Sequence, residues 1–549
     1  MSARERTPLT LRGIGISSGK AIGEVVFLGF DAPKSSERAA GSREEESERL
    51  RAAREKVLAE TERLKHLAGE EIGESEAEIF EIHAMLLEDA DFLDALECEL
   101  AQEKSAEDAV LGASEHCASR LSALPDPYLQ ARAADLRDIG ARLLESLSGK
   151  SSHSHAPDRP YILVARDLSP SQTVQLDKRM ILGFVTFGGS ASSHTAILAR
   201  AMGIPALVNV GEIPIDRNRE IALLDAESGT VVLSPTPEQR RQFEHRQREE
   251  NKLARDHQRY LRSLASKPTV TRSGHRMRIY ANVGSVEEVC SAMRGGADGI
   301  GLFRSEMLYL SLDRYPTEDE LYTSYQKAVL ATEGKRIILR TLDIGADKTA
   351  PYFALPPEEN PALGFRAVRI CLARKDLFKA QLRAILRASA HGSVSLMIPM
   401  IVSPEEVLEC KRILEECKQE LRAEGHSFDS EMELGIMVET PAAAIMCREI
   451  APHVDFFSVG TNDLTQYTLA ADRQNPLLAE ICDSNTEPVL RLIAQAADAI
   501  HQSGGWIGIC GEMAANLHLT QRFADMRIDE LSVSVPYLLG LRERVIDCK

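Results

Sequence analysis

The rhythm of hydrophobic and polar positions changes three times along this chain. Over 9–30, LTLRGIGISSGKAIGEVVFLGF, apolar residues come in short runs between glycines, the pattern of short strands joined by tight turns. From about Glu37 to Ser148 the spacing is helical. Leu50, Val57, Leu64 and Leu67 form one stripe, Ile79, His83 and Leu86 a second, and Leu129, Leu136 and Leu143 a third. Antiparallel helices that bury these stripes against one another predict a bundle, with Pro125 and Pro127 parting two of its helices. β-rich character returns at PYILVARDLSP (160–170), MILGFVTFGG (180–189), PALVNV (205–210) and EIALLDAESGTVVLSP (220–235). This order predicts an α/β domain of residues 1–36 and 149–235 into which the bundle, 37–148, is inserted. Residues 236–267 are strongly charged and poor in glycine, and read as one linking helix.

From Pro268 onward short apolar segments alternate with helical stretches. The segments are RMRIYANV (276–283), ADGIGLFRSE (297–306), KRIILRTLDIG (335–345), VSLMIPMIVS (394–403), ELGIMVETP (433–441), VDFFSVGTNDL (454–464), WIGICGEMA (506–514) and DELSVSV (529–535). Eight such segments over 268–549 predict a (β/α)8 barrel, a fold that takes typically about 250 residues and carries its chemistry at the C-terminal ends of its strands. Polar residues fall at those ends: Arg304 and Glu306, Arg340 and Asp343, Glu439, Asn462 and Asp463, Cys510 and Glu512.

Composition narrows the class. Of 549 residues, 44% are hydrophobic and 27% charged, the balance of a soluble globular protein of several domains. No apolar run approaches the ~18 residues of a membrane span, and the first residues lack the apolar core of a signal peptide, so no membrane insertion is expected. The ten cysteines are scattered without CxxC pairs, which suits a reducing cytoplasm. A net charge of −18 argues against general nucleic-acid binding and leaves room for a basic protein partner.

The strand ends have a chemistry in common. Arg304 and Arg340, with Arg366 in GFRAVR, Arg473 in ADRQNP and Lys348 in DIGADK, would give one barrel mouth the planar forks that hold phosphate and carboxylate. Glu439 and Asp463, at the ends of adjacent strands, are candidate ligands for Mg2+, which takes one or two carboxylates together with substrate oxygens. An ion pair with the arginines is the plainer reading. Cys510 is either an inert buried thiol or a proton donor at a strand end. In GGSASSHTAILARAMGIPALV (188–208), His194 follows a glycine–serine loop and opens a segment of helical period. An imidazole there is a nucleophile and proton carrier, and the neighbouring hydroxyls and free N–H groups of a helix start can hold an anion beside it. A capping role for His194 is the structural alternative. A loop histidine linked to a polyanion site points to phosphoryl transfer in two places.

These residues carry a resemblance. FEIHAMLLEDADFL, SSHTAILARAMGIPALV, GIGLFRSEMLYL, ILRTLDIGADK, ENPALGFRAVR, GIMVETPAAA, SVGTNDLTQYTLAADR and GICGEMA occur in the order of enzyme I of the bacterial phosphoenolpyruvate-dependent sugar phosphotransferase system, and the chain resembles that family from about Gly13 to Arg544. The resemblance implies that His194 receives the phosphoryl group of phosphoenolpyruvate through Nε2. Arg304, Arg340, Arg366 and Arg473 would bind the substrate with Lys348 nearby, and Asn462 would hydrogen-bond it. Glu439 and Asp463 would ligate Mg2+, and Cys510 would protonate the enolate as pyruvate forms. It further implies that the bundle docks the phosphocarrier protein HPr, that the barrel dimerises, and that the α/β domain swivels to carry His194 between two stations, with 236–267 as a hinge. The first step of sugar uptake would follow.

Three departures bear on rate and on dimer strength. Where the family loop usually reads Gly-Gly-x-Thr-Ser-His, this chain has Gly189-Ser190-Ala191-Ser192-Ser193-His194. Ala346 stands in Asp343–Lys348 where the family has a second glycine. The chain also ends soon after the eighth strand segment, where many members continue. Pyruvate phosphate dikinase and phosphoenolpyruvate synthase share the histidine and barrel, but they need an ATP-binding domain before the histidine, for which the sequence shows no glycine-rich loop. The nitrogen-regulatory enzyme I needs an N-terminal sensory domain, which does not fit before Leu9. A non-catalytic or regulatory relative acting through partner binding is the alternative from a different class.

Overall fold

The computed structural model describes residues 7–28, 41–71, 74–123, 127–149, 159–166, 168–188, 196, 199–200, 202–345, 350–478, 481–482 and 486–549. The chain forms two compact units, Met1–Lys252 and Leu253–Lys549, and the division falls within the long charged helix Pro237–Leu264.

In the first unit, eight strands form one sheet in the order β1-β8-β7-β3-β4-β5-β6-β2. They are β1 (Leu9–Arg12), β2 (Ile14–Ser17), β3 (Lys20–Leu28), β4 (Tyr161–Ala165), β5 (Ile181–Thr186), β6 (Ala206–Val208), β7 (Ile221–Asp225) and β8 (Thr230–Leu233). The central run β3-β4-β5-β6 is parallel and the flanking pairs are antiparallel. β3 and β4 are neighbours in the sheet, yet five helices lie between them in the chain: α1 (Arg43–Glu71), α2 (Glu74–Leu87), α3 (Ala90–Leu100), α4 (Ala106–Ser122) and α5 (Pro127–Ser148). The bundle is therefore an insertion between two paired strands.

Its core includes Leu50, Val57, Phe92, Val110, Leu136 and Leu143. Leu64 packs with Phe80 in a smaller cluster. One stripe turns slightly from its sequence reading. Ile79 and Leu86 are half-buried while Phe80 and Leu87 are buried, because α2 shows the core a face wide enough to include the residue after each expected position. Pro127 opens α5, where its missing N–H has no bond to forfeit. The helix α6 (Pro170–Gln175) joins the sheet to the bundle: Ser171 Oγ donates to Asp138 Oδ1 on α5 at 2.6 Å.

The second unit is a closed barrel of eight parallel strands. They are β9 (Arg278–Val283), β10 (Ile300–Phe303), β11 (Ile337–Arg340), β12 (Val394–Ile398), β13 (Glu433–Val438), β14 (Phe456–Val459), β15 (Trp506–Ile509) and β16 (Glu530–Val533). Each lies within one of the eight segments read from the sequence. A large core joins the strands to the surrounding helices. A separate lumenal cluster holds Leu302, Ile338, Met397, Met437, Phe456 and Cys510. Side chains fill the barrel, so chemistry is left to its rim.

Candidate active site

The expected polar residues lie at the C-terminal ends of the barrel strands. Arg304 follows β10, Arg340 closes β11, Glu439 follows β13 and Cys510 follows β15. Asn462 and Asp463 lie one step further on, in the first turn of the helix Thr461–Leu469 after β14. Lys348 and His194 lie outside the described residues, as do Ser190, Ser192 and Ala346.

The structure joins three of the four arginines through carboxylates. Arg340 Nη2 meets Glu306 Oε1 at 2.6 Å, and its Nη1 meets Asp343 Oδ2 at 3.0 Å. Asp343 Oδ1 meets Arg366 Nη2 at 2.9 Å, and the same nitrogen lies 3.4 Å from Asp463 Oδ2. Arg473 Nη2 ends the chain 3.6 Å from Asp463 Oδ1. Arg340, Arg366, Glu306, Asp343 and Asp463 are buried. Burial alone would lower the pKa of Arg340 and Arg366, but the carboxylates around them hold both above the ordinary value: Glu306, Asp343 and Glu439 for Arg340, Asp343 and Asp463 for Arg366. The two guanidiniums are thus fixed cations in a dry setting, where a charge acts on a ligand far more strongly than in water. Arg304 differs: it is exposed, and its side chain makes no ion pair among the described residues.

Beneath this chain is a layer of neutral hydrogen bonds. Ser305 Oγ donates to the Arg340 carbonyl at 2.6 Å, and Gln381 donates to Ser305 and to Tyr325 while accepting from the Leu342 N–H. Tyr467 adds an acceptor for Arg366 Nη1 at 3.2 Å. The sequence reading did not include Tyr467, although it follows Asp463 by one helical turn, a spacing that puts both on one face.

Glu439 is buried and accepts from the Met400 N–H at 2.6 Å. Burial, with the charges of Asp463 and Asp343, pushes its pKa up to about 8 against the pull of Arg340 and Arg366. Met400 has φ 57°, and Ala367, beside Arg366, has φ 51°. Non-glycine residues in this region carry strain, and both stand next to a site side chain. The glycine at 460 is required by space, since a Cβ there would lie 2.9 Å from Glu439 Oε2.

The Cys510 thiol is buried and lies 3.5 Å from the Val459 carbonyl. Burial pushes its pKa up to about 12, so it holds its proton at neutral pH. Asn462 is engaged reciprocally with Glu512: its Nδ2 donates to Glu512 Oε1 at 3.0 Å, and the Glu512 N–H donates to Asn462 Oδ1 at 2.8 Å.

A cavity of about 780 Å3 opens beside the ionic chain, lined by Arg366, Asp463, Arg473, Met400, Thr440 and Tyr467 among others. Arg304, Arg340, Glu439, Asn462 and Cys510 are not on its wall. Among the described residues no group of three or more histidine, cysteine or acidic side chains is arranged to hold a metal ion. Two carboxylates are nevertheless what Mg2+ needs when substrate and water supply the remaining oxygens. Glu439 and Asp463 fit that requirement: Asp463 Oδ1 is buried and accepts no hydrogen bond, and the two groups repel each other as anions.

A parallel barrel with buried arginines and carboxylates gathered at its strand ends beside a cavity defines an enzyme that handles a small anion. Family models place it more closely. The model of the PEP-utilising enzyme N-terminal domain matches residues 12–132, that of the mobile domain 157–229, and that of the PEP-binding domain 258–549. The phosphoenolpyruvate-protein phosphotransferase of Geobacillus stearothermophilus is 39% identical over 540 residues, covering 98% of this chain and 93% of its own. That of Haemophilus influenzae is 40% identical over 483 residues, covering 86% and 83%. The solution structure of an enzyme I protein, nEIt, is 34% identical and covers 44% of this chain and 99% of its own, at a TM-score of 0.38. The chain belongs to the phosphoenolpyruvate-protein phosphotransferase family of PEP-utilising enzymes.

Proposed function

We propose that this chain transfers the phosphoryl group of phosphoenolpyruvate to its own His194 and from there to the histidine of an HPr-type carrier, releasing pyruvate. One observation supports the reading most: the buried sequence Glu306–Arg340–Asp343–Arg366–Asp463 at the C-terminal end of the barrel, in a chain related over nearly its whole length to named phosphotransferases. Fixed cations in a water-poor site stabilise charge moving onto phosphoryl and enolate oxygens. In this reading Arg340, Arg366 and Arg473 meet the anion, Arg304 reaches it from the rim, and Lys348 and Asn462 assist. The lone pair of His194 Nε2 attacks phosphorus, the bridging P–O bond breaks towards the enolate, and C3 takes a proton from Cys510. A thiol that keeps its proton at neutral pH is suited to act as that acid. Glu439 and Asp463 would hold Mg2+, which when bound supplies positive charge to the phosphoryl oxygens.

The segments 1–36 with 149–235, 37–148, 236–267 and 268–549 act in this reading as the phosphohistidine domain, the carrier-docking bundle, the hinge and the phosphoenolpyruvate domain. A homodimer formed through the barrel in the cytoplasm, serving sugar uptake, completes it. Among the described residues no helix is long and apolar enough to cross a membrane. The test is intact mass after incubation with phosphoenolpyruvate and Mg2+. One phosphoryl adduct is expected on the wild type, absent from His194→Ala and removed by a bacterial HPr. Folded wild-type protein that takes up no adduct would instead favour a regulatory relative.

A further inference from the structure

Behind Cys510 the barrel lumen holds a second acid that the reaction above does not use. Glu530, the first residue of β16, is buried, and neither of its carboxyl oxygens makes a hydrogen bond. An orphaned buried carboxyl is costly and calls for a reason. Glycines make its space. Gly508 on β15 pairs with Glu530, and a Cβ there would lie 3.2 Å from the Glu530 carboxyl carbon. A Cβ at Gly301 would collide with both Glu530 Oε1 and Ser532 Oγ, so those two oxygens approach the same point.

Side chains alternate along a strand, so Gly508 and Cys510 share one face of β15, and Glu530 and Ser532 share one face of β16. Continuing the register of the two strands, Gly508 with Glu530 and Ile509 with Leu531, sets Cys510 beside Ser532. Asn282 ties the two strands together: its Nδ2 donates to the Cys510 and Ser532 carbonyls at 2.9 and 3.1 Å, and Ser532 Oγ donates to its Oδ1 at 2.7 Å. Ser532 thus stands in register between the carboxyl at 530 and the thiol at 510, on the face of the strands that looks into the lumen.

We propose that Glu530 is the proton reserve for Cys510, restoring the thiol through Ser532 after each turnover. It touches neither substrate nor reacting atoms and acts only through Cys510, so the proposal rests on the reading of Cys510 as proton donor. When the thiol gives its proton to the enolate carbon, a thiolate is left. The Ser532 hydroxyl turns from Asn282 Oδ1 to that sulfur, passes it its proton and takes the one on Glu530. The resulting carboxylate regains a proton from solvent, past the half-exposed Arg278, Trp506 and Arg336 at the other end of the barrel. Burial holds the Glu530 pKa up to about 8, so the reserve is loaded at neutral pH. The charged and titratable groups facing it are Arg278 and Tyr280 on β9, Arg336 just before β11, Glu433 on β13 and its neighbour Asp529.

The test follows pyruvate release by the full chain with phosphoenolpyruvate, Mg2+ and a bacterial HPr. Glu530→Gln is expected to release one pyruvate per subunit and then slow at least tenfold, and to lose the decline in steady-state rate expected of the wild type near pH 8. Equal slowing of first and later turnovers, or a wild-type rate and pH profile in the folded variant, overturns the proposal. Should Glu530→Gln not fold, Ser532→Ala is measured in the same way, and a wild-type profile there overturns it. Cys510→Ala separates the two layers: wild-type turnover in that variant removes the donor role of Cys510 itself, and with it the reserve.

Discussion

Arg304 and Arg340 follow equally apolar strand segments, yet the structure gives them different surroundings. Arg340 is buried between Glu306 and Asp343, while Arg304 is exposed and unpaired among the described residues. The same substitution should therefore read differently at each. Arg304→Ala is expected to raise the KM for phosphoenolpyruvate roughly tenfold or more, the loss of one charge-assisted contact, and to leave urea unfolding of the barrel unchanged. Arg340→Ala is expected to abolish activity and also to destabilise the barrel by about 3–5 kcal/mol, because it takes the shared cation from between two buried carboxylates. A wild-type KM for Arg304→Ala, or a wild-type unfolding midpoint for Arg340→Ala, would contradict this. Residue types at strand ends were readable from the sequence, but their burial was not. Burial depends on which loops fold over which end, and Arg340 meets partners from the turn after β10 and from its own loop. Tyr467 was readable from its helical spacing to Asp463. Glu530 was not, since the first residue of a strand in DELSVSV looks like an ordinary polar boundary until two glycines on other strands are seen to make room for it.

Elements were more legible than residues. All eight barrel strands lie inside the apolar segments, because strands buried on both faces read as near-continuous hydrophobic runs. The segments run longer than the strands, since the residues that turn the chain into the following loop are apolar too, as in PMIVS after β12. The helix Leu538–Asp547 carries a feature no periodicity shows. Arg542 is fully buried and donates to the Lys267 carbonyl (2.7 Å), Thr269 Oγ1 (2.6 Å), the Gly296 carbonyl (2.8 Å) and Asp298 Oδ1 (2.9 Å). One side chain thus latches the last helix of the barrel to the segment leading into β9 and to the turn before β10. Arg542→Ala is expected to cost about 3–5 kcal/mol of barrel stability through the partners it leaves unpaired, of which Thr269 and Gly296 are buried. Lysine should restore only part of this, because an ammonium cannot span four acceptors that a planar fork reaches. A urea midpoint for Arg542→Ala equal to the wild type would show that the latch contributes nothing.

At the scale of the whole molecule, each unit has its own core, so each can be followed separately. The single tryptophan of the chain, Trp506, lies in the barrel, stacked on Phe456 at 4.5 Å, and its fluorescence therefore reports on that unit. Glu530 links the stability of that unit to pH. Its carboxyl titrates near 4.5 when the chain is unfolded and near 8 in the barrel. Below the lower value both states hold the proton and the group adds no pH dependence. Between the two values only the folded state holds it, so stability falls as pH rises, by roughly 3 kcal/mol at pH 7 from this residue. Above pH 8 the loss levels off. Tryptophan-monitored urea unfolding should therefore show a barrel that weakens from pH 5 to pH 8, and Glu530→Gln, which carries no charge to bury, should remove about half or more of that slope. The remainder belongs to Glu439, which burial holds up in the same direction. A variant that keeps the full wild-type slope would mean that Glu530 is charged and solvated in the folded barrel, with room in the lumen for water. The glycines at 301 and 508 would then serve hydration of that carboxylate rather than the close packing of a neutral acid.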